Sequence, residues 1–316
     1  MTIPYDDFGG PGPILHFSHP NAYTPRCFPR FLTPLTARYH VIAGRHRPLW
    51  YLSPGAPSVP GPETFDDWNL IADDLLRFLD RQRLEGIIGV GHSLGAVATM
   101  KAALREPERF RALALIEPVF LPPSVLDAIR ANPAAAAEQP FVLAARRRRD
   151  RWPDRQAAFD RFREKTVFAG FPDEILWDYV NEGLYDDPAT DEVALSFPRE
   201  WEAAFYAHAP LDVWDEIPRL ALPTLAVRGR ESDTLFPDPW ALWQNLQPSA
   251  TFVEMDGVGH MLTLEAPEET AAAVSYTHLD VYKRQGRHRA GGQGRGRHLS
   301  GPGRADDSLR PRPPDG

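Results

Sequence analysis

Short apolar runs alternate along the chain with longer segments in which apolar residues recur at helical spacing. One such segment, Phe65–Leu79, predicts a helix, because its large apolar residues fall near one face, with Thr64 as the N-cap. This alternation is typical of a mostly parallel sheet flanked by helices on both faces. The runs that predict strands are Ile14–Phe17, Val41–Ala43, Gly86–Val90, Ala112–Ile116, Thr224–Val227 and Thr251–Val253.

The strand pattern is interrupted in the middle of the chain. Residues 120–215 are rich in arginine and in large aromatic residues and have no strand-like runs, so we predict a helical cap inserted into the sheet domain. Residues 1–119 and 216–273 then form the two parts of that α/β domain. Within the cap, Arg146–Arg149 is interpreted as a solvated helix face, and recruitment of an anionic ligand is the alternative.

Composition narrows the range of partners. The 316-residue chain carries a formal net charge of -8, which disfavours binding to nucleic acid. No apolar run is long enough to span a bilayer, so no membrane association is predicted. The single cysteine, Cys27, excludes a disulfide within the chain and is consistent with a cytoplasmic location. The expected partner is therefore a small-molecule substrate, while composition indicates nothing about oligomeric state.

The composition changes abruptly near Val274. From Gly286 onward the chain is dominated by Gly, Arg, Pro, His, Ser and Asp, and it has no apolar face, so residues 274–316 are predicted to be disordered. Val274–Gln285 can be encoded by DNA that is almost entirely its own reverse complement and resembles two sequencing-adapter ends joined head to head. Our hypothesis is that residues 274–316 are an adapter-derived artefact. A basic nucleic-acid-binding arm is the alternative.

The first chemical motif is the pentapeptide Gly91-His92-Ser93-Leu94-Gly95, which fits the pattern G-x-S-x-G. It follows an apolar run and opens a predicted helix, as a nucleophile elbow requires. Small neighbours allow the chain to turn sharply, and the amides at the start of the helix can stabilise a developing oxyanion. Ser93 is therefore predicted to be a nucleophile.

A serine hydroxyl needs a base within hydrogen-bond reach to attack at neutral pH. His260 is predicted to be this base, because it lies in a glycine-rich loop that follows the last predicted strand. An acid should precede it in the chain and orient the imidazole. Asp233, after the penultimate strand, is favoured over its neighbours Glu231 and Asp238. Glu117, which follows an earlier strand, is an alternative.

Two backbone N–H groups are expected to bind the oxyanion. One belongs to Leu94, directly after the nucleophile, and the other should come from the loop after an early strand. In that loop Pro20 has no N–H, so Asn21 is predicted to be the second donor. His16 and His19 have a spacing that could suit a metal, but no further ligands are nearby. No metal and no cofactor are predicted.

These segments resemble the α/β-hydrolase fold superfamily, in its serine-hydrolase branch with a helical cap, over nearly all of the chain from Ile14 to Ala273. The resemblance implies that Ser93, Asp233 and His260 occupy the triad positions. It likewise assigns Asn21 and Leu94 to the oxyanion positions. The segments that carry it are FSHPNA (Phe17–Ala22), VGHSLGAVATMKAALREPERFRALALIEP (Val90–Pro118), RGRESD (Arg228–Asp233) and GVGHMLTLEAPEE (Gly257–Glu269).

The sequence departs from the family pattern in two places, and a third feature depends on the C-terminal segment. The usual His-Gly of the oxyanion loop is His19-Pro20, which stiffens the loop. The first strand begins so early that the customary opening β-hairpin is short or absent. If residues 274–316 are not natural, the last helix, which begins near Pro267, ends after about two turns.

The predicted reaction is acyl transfer to water through an acyl-enzyme. A serine nucleophile argues against the haloalkane and epoxide branches, which by the resemblance use an aspartate at this position. An ester-type small molecule with a hydrophobic part is the predicted substrate, because the cap is rich in aromatic residues. A carbon–carbon bond hydrolase or lactonase with the same triad is one alternative. A non-catalytic small-molecule binding protein is another.

Overall fold

A computed structural model of the protein describes residues 3–275. The predicted disorder of the C-terminal segment therefore lies outside the described residues, except at positions 274 and 275. These two residues are helical, and Val274 is fully buried.

The centre of the molecule is a seven-stranded sheet in the order β1-β3-β2-β4-β5-β9-β10. All neighbouring strands are parallel except β1 and β3, which are antiparallel. The six predicted runs form six of these strands, which confirms the mostly parallel sheet. The edge strand β1 was not predicted. The strands of the sheet are β1 (Tyr5–Gly9), β2 (Ile14–Ser18), β3 (His40–Gly44), β4 (Ile87–His92), β5 (Phe110–Ile116), β9 (Thr224–Gly229) and β10 (Thr251–Met255).

Helices connect the parallel strands, as the alternating pattern predicts. They are α1 (Pro29–Leu35), α2 (Asn69–Gln82), α3 (Leu94–Arg105), α4 (Pro123–Ala131), α5 (Pro140–Arg147), α6 (Arg155–Arg163), α7 (Asp173–Gly183), α8 (Arg199–Ala207), α9 (Val213–Glu216), α10 (Pro237–Leu246) and α11 (Leu262–Glu265). A twelfth helix, α12, covers residues 267–275. The predicted N-cap of α2 is wrong: the Thr64 hydroxyl donates to Gly61 O, and Asp67 Oδ1 accepts the N–H of Asn69 at 2.8 Å.

Alternate residues of each central strand pack into two different apolar layers. On β5, Leu113 and Leu115 pack in the layer that contains α2 and α3. Ala114 and Ile116 pack in the opposite layer, which contains α1. This period of two places helices on both faces of the sheet and buries it from both sides.

The prediction of a helical cap at residues 120–215 is only partly correct. It contains α4 to α8 and also a three-stranded antiparallel sheet in the order β6-β8-β7. The strands of this small sheet are β6 (Arg151–Trp152), β7 (Leu184–Asp187) and β8 (Glu192–Leu195). With two to four residues each, they are too short to show the alternation by which a strand is predicted. Among residues 3–275 we find no helix with both the length and the apolarity needed to cross a membrane.

Close packing fixes the start of α3 against the end of β2. A Cβ atom on Gly95 would lie 2.0 Å from Ser18 O and 2.7 Å from His19 O, so no other residue fits there without movement of the backbone. The helix that follows Ser93 and the loop that contains Asn21 are therefore in direct contact.

Four histidines are buried at or just beyond the carboxyl ends of β2, β3 and β4: His16, His19, His46 and His92. Burial lowers the pKa of His16 and His92 to about 3 and that of His19 to about 4, and it also lowers the pKa of His46 well below its ordinary value. Burial therefore keeps all four rings neutral at pH 7, and one of them, His92, directly precedes Ser93.

We expect Gly95→Ala to lower the free energy of unfolding by about 1–3 kcal/mol, because the added methyl group overpacks the contact with Ser18. Urea denaturation of the two proteins measures the difference. Gly170→Ala is the matched control: its Cβ would lie 3.7 Å from Glu265 Cγ, an ordinary contact, and should change the stability by less than about 0.5 kcal/mol. Equal stabilities for the two variants would contradict the packing argument.

The buried histidines predict a loss of stability in mild acid. Their pKa is about 6.5 in the unfolded chain, so below this value the unfolded state binds protons that the folded state excludes. The contribution of these histidines to stability is therefore complete above pH 6.5. Between pH 7 and pH 5, each of His16, His19 and His92 should lower the free energy of unfolding by about 2 kcal/mol.

Urea denaturation at the two pH values tests this prediction. In His16→Gln the free energy of unfolding should fall by about 2 kcal/mol less between pH 7 and pH 5 than in the wild type, because one buried histidine is removed. A pH-independent free energy of unfolding would contradict it.

Candidate active site

Ser93 lies at the sharp turn between β4 and α3. Its backbone has φ 57° and ψ -120°, a strained conformation for a residue with a side chain, and its N–H donates to Ile116 O at 2.9 Å. Gly91 permits the turn, since a Cβ there would lie 2.4 Å from Gly95 O. The structure thus forms the elbow that the pentapeptide predicts.

The imidazole of His260 connects Ser93 to a carboxylate. Its Nε2 is 3.0 Å from Ser93 Oγ, and its Nδ1 is 3.0 Å from Glu117 Oε2. Because a carboxylate oxygen accepts, Nδ1 carries the proton and Nε2 is left to accept the serine hydroxyl. The serine is 6% exposed and the histidine side chain 17%, so each retains a small accessible surface.

Glu117 is fully buried directly after β5. Its backbone adopts φ 46°, and its N–H donates to Val227 O at 2.8 Å, which fixes the residue against β9. The carboxylate accepts hydrogen bonds from Gly229 N at 2.7 Å and from Ser232 Oγ at 2.6 Å in addition to that from His260. These three donors compensate for burial of the carboxylate.

The structure corrects the predicted position of Asp233. Its side chain is exposed and its Oδ1 accepts a hydrogen bond from the Thr234 hydroxyl, so it does not contact the histidine. The residue of this loop that turns inward is Ser232, whose hydroxyl also accepts the N–H groups of Thr234 and Leu235. Glu117, the alternative from the sequence, takes the place beside the imidazole.

The loop that carries His260 is held by Glu265, in α11. The carboxylate of Glu265 accepts the N–H of Gly259 at 2.6 Å and that of Met261 at 3.2 Å, one on each side of the histidine. Sequence reasoning missed this residue. Its spacing, five positions after His260, is a signal only once the turn of the loop is known.

The backbone of His260 is held by a second histidine, His92. The Nε2 atom of His92 donates to the His260 carbonyl at 2.9 Å, and the Nδ1 atom of His92 accepts the Thr263 hydroxyl at 2.9 Å. Both ring nitrogens are thereby satisfied in the neutral form that the lowered pKa requires. His92 occupies the variable position before Ser93 in the pentapeptide, so the motif itself gave no signal for this role.

The loop after β2 has a fixed peptide plane at the predicted oxyanion position. His19 Nδ1 donates to Pro20 O at 2.9 Å, while its Nε2 accepts the N–H of His46 at 3.1 Å. A trans peptide is planar, so fixing the Pro20 carbonyl also fixes the Asn21 N–H in the opposite direction. Leu94 is the first residue of α3, and its N–H therefore has no acceptor within the helix.

The side chain of Asn21 joins this loop to the cap. Its Nδ2 donates to Glu202 O at 3.2 Å, which fixes the orientation of the amide because a carbonyl can only accept. Its Oδ1 is buried and has no hydrogen-bond partner among the described residues. His16 accepts the N–H of Gly44 at 3.2 Å. In residues 3–275 it belongs to no group of three side chains arranged to hold a metal ion.

Comparison with known proteins agrees with this architecture. The chain is 24% identical over 269 residues to 2-(acetamidomethylene)succinate hydrolase of Mesorhizobium japonicum, with 84% of this chain and 88% of the relative covered. The crystal structure of E-2-(acetamidomethylene)succinate hydrolase superposes with a TM-score of 0.67 at 23% identity, covering 86% of this chain and 93% of that one. The thioesterase domain from the curacin biosynthetic pathway gives a TM-score of 0.69 at 18% identity, covering 86% and 94%.

A sequence profile of the alpha/beta hydrolase family matches residues 14–273. The match contains the whole seven-stranded sheet except β1, together with the cap and the three side chains joined at Ser93. The chain belongs to the alpha/beta hydrolase family.

Proposed function

We propose that this protein is a serine hydrolase that cleaves an acyl bond through a covalent acyl-enzyme. The observation that carries the proposal is the continuous set of hydrogen bonds from Ser93 Oγ through His260 to the buried Glu117 carboxylate. The strained backbone of Ser93 and the free N–H of Leu94 support the same function, since both are features of a site that forms an oxyanion.

In the proposed reaction Ser93 Oγ attacks the substrate carbonyl while His260 Nε2 accepts its proton. The charge that develops on the carbonyl oxygen is stabilised by the N–H groups of Leu94 and Asn21. Glu117 stabilises the imidazolium through Nδ1 and does not take its proton. His260 then protonates the leaving group as the carbonyl–leaving group bond breaks. A water molecule then attacks the acyl carbonyl while His260 accepts its proton, and the histidine returns this proton to Ser93 Oγ as the acyl–Oγ bond breaks.

An ester-type substrate with a hydrophobic part is the first candidate. The cap supplies aromatic side chains, and two of them, Phe141 and Tyr206, remain exposed and contact each other at a ring distance of 5.6 Å. An N-acyl bond is the second candidate, because the curated relative is named for a substrate with an acetamido group. Both bonds are carbonyl–heteroatom bonds, so the same proton transfers serve either one.

The full chain is expected to react with a fluorophosphonate probe at Ser93 and to hydrolyse p-nitrophenyl esters with a burst of product. Ser93→Ala should abolish labelling and lower kcat by at least about 10³-fold. Mass spectrometry of the labelled peptide identifies the residue. If the wild type gives neither labelling nor a burst, yet binds ester analogues as tightly as Ser93→Ala does, the protein is a binding protein and the proposal fails.

A matched pair of variants tests which carboxylate serves the histidine. Glu117→Gln should lower kcat by about 10²–10⁴-fold, because the amide disturbs the hydrogen bond that orients His260. Asp233→Asn should change kcat by less than about threefold, because Asp233 is exposed and does not contact the imidazole. Steady-state kinetics on one ester measures both. The reverse order of effects would restore Asp233 as the acid.

A further inference from the structure

Arg148 departs from the solvated helix face expected for Arg146–Arg149. Helix α5 ends at Arg147, and the next residue adopts an extended conformation with ψ 144°. This change turns the Arg148 side chain inward, where Nη1 donates to Glu202 Oε2 at 2.6 Å and Nη2 donates to Tyr179 Oη at 3.2 Å. Arg146, Arg147 and Arg149 are exposed, as predicted.

The position of Glu202 places this arginine beside the oxyanion loop. Glu202 lies on α8 and is buried, and its backbone carbonyl accepts the hydrogen bond from Asn21 Nδ2. The loop of Asn21 in turn lies against Gly95, two residues after Ser93. A short path of direct contacts therefore leads from the nucleophile to the guanidinium of Arg148.

Helix α8 also carries Tyr206. Tyr206 lies one turn after Glu202 and therefore on the same face of the helix. Its ring lies 5.6 Å from that of Phe141 on α5, the helix that Arg148 follows. Contacts between α5 and α8 therefore hold Arg148 and Tyr206 in the same part of the cap.

Arg148 retains unused donors in this position. A guanidinium has five N–H groups, and the hydrogen bonds to Glu202 and Tyr179 use two of them. Its side chain is 23% exposed, whereas that of Glu202 is 9% exposed, so the guanidinium is the more accessible partner. Burial alone would lower the Arg148 pKa, but Tyr179 and Glu202 hold it above its ordinary value, and the cation is permanent.

Two further observations indicate a polar ligand. Asn21 Oδ1 belongs to a side chain more than nine-tenths buried and has no partner among the described residues. The Tyr23 ring lies 5.1 Å from that of Tyr179, whose hydroxyl accepts the hydrogen bond from Arg148. No hydrogen bond from Tyr23 or Tyr206 to another described residue accompanies this proximity, so both can donate to a ligand.

We propose that Arg148 binds a carboxylate group of the substrate, so that the enzyme acts on acyl compounds that carry a second, anionic end. The inference rests on the proposed function of Ser93. A guanidinium presents parallel N–H groups that match a carboxylate, and nearby tyrosine hydroxyls can complete its hydrogen bonds. The contrasting role is purely structural, in which Arg148 only neutralises the buried Glu202.

The test compares pairs of substrates in which a carboxylate replaces a methyl group. On the acyl side these are p-nitrophenyl butyrate and mono-p-nitrophenyl succinate, and on the leaving-group side 4-methylphenyl acetate and 4-acetoxybenzoate. The wild type should prefer the charged member of at least one pair by tenfold or more in kcat/KM. Arg148→Gln should lower that preference by at least about tenfold, the size expected for loss of a charged hydrogen bond.

The control is Arg151→Gln. Arg151 is also a cap arginine in an ion pair, with Asp187 at 2.7 Å, but it lies on β6 with its side chain 40% exposed. This variant should retain the wild-type preference. If Arg148→Gln fails to fold because Glu202 is left unpaired, Arg148→Gln with Glu202→Gln removes both charges, and the loss of preference should persist.

Equal loss of activity on the charged and neutral members of both pairs would show a structural role and overturn the proposal. A readout without turnover separates this failure from failure of the proposed function. In the full chain with Ser93→Ala, monomethyl succinate should bind more tightly than methyl butyrate by calorimetry, and adding Arg148→Gln should remove the difference. No difference in either protein would overturn the role of Arg148, whatever the outcome of the labelling at Ser93.

Discussion

The Glu117 carboxylate is fully buried, and it accepts hydrogen bonds from the end of β9, from the loop after it and from the His260 imidazole. Each donor lies on a different segment of the chain, so the carboxylate joins them at one point. A buried carboxylate without these donors would be strongly destabilising. The carboxylate thus links the first part of the sheet domain to the second at the groups proposed for catalysis.

The close approach of backbone segments around Ser93 makes this arrangement rigid. The Ser93 N–H bonds to the end of β5, and the next residue after β5, Glu117, bonds to β9. Glu265 and His92 hold the backbone around His260 from two directions. The groups proposed for proton transfer are therefore fixed by the backbone, by the Glu265 carboxylate and by the neutral ring of His92.

Much of this could be predicted from the sequence, because strand runs and the elbow motif are local patterns. The six strand predictions, Ser93 and its proximity to His260 all follow from short segments and their order. The carboxylate beside His260 could not be chosen in this way. The conformation of the loop after β9 decides which of two neighbours, Ser232 or Asp233, turns inward, and no local pattern reveals it. The inward turn of Arg148 was equally hidden, because it depends on where α5 ends.

The carboxylate beside His260 belongs to Glu117, directly after β5, and not to the loop after β9. This has a consequence for sequence changes in that loop. In residues 230–236, only the Ser232 hydroxyl contacts the groups proposed for proton transfer, and exposed positions such as Asp233 and Phe236 do not. Substitutions at these positions therefore leave the hydrogen bonds of the imidazole and its carboxylate in place. The loop after β9 can change at its exposed positions while the contacts proposed for catalysis, made by Glu117, Ser232 and His260, stay the same.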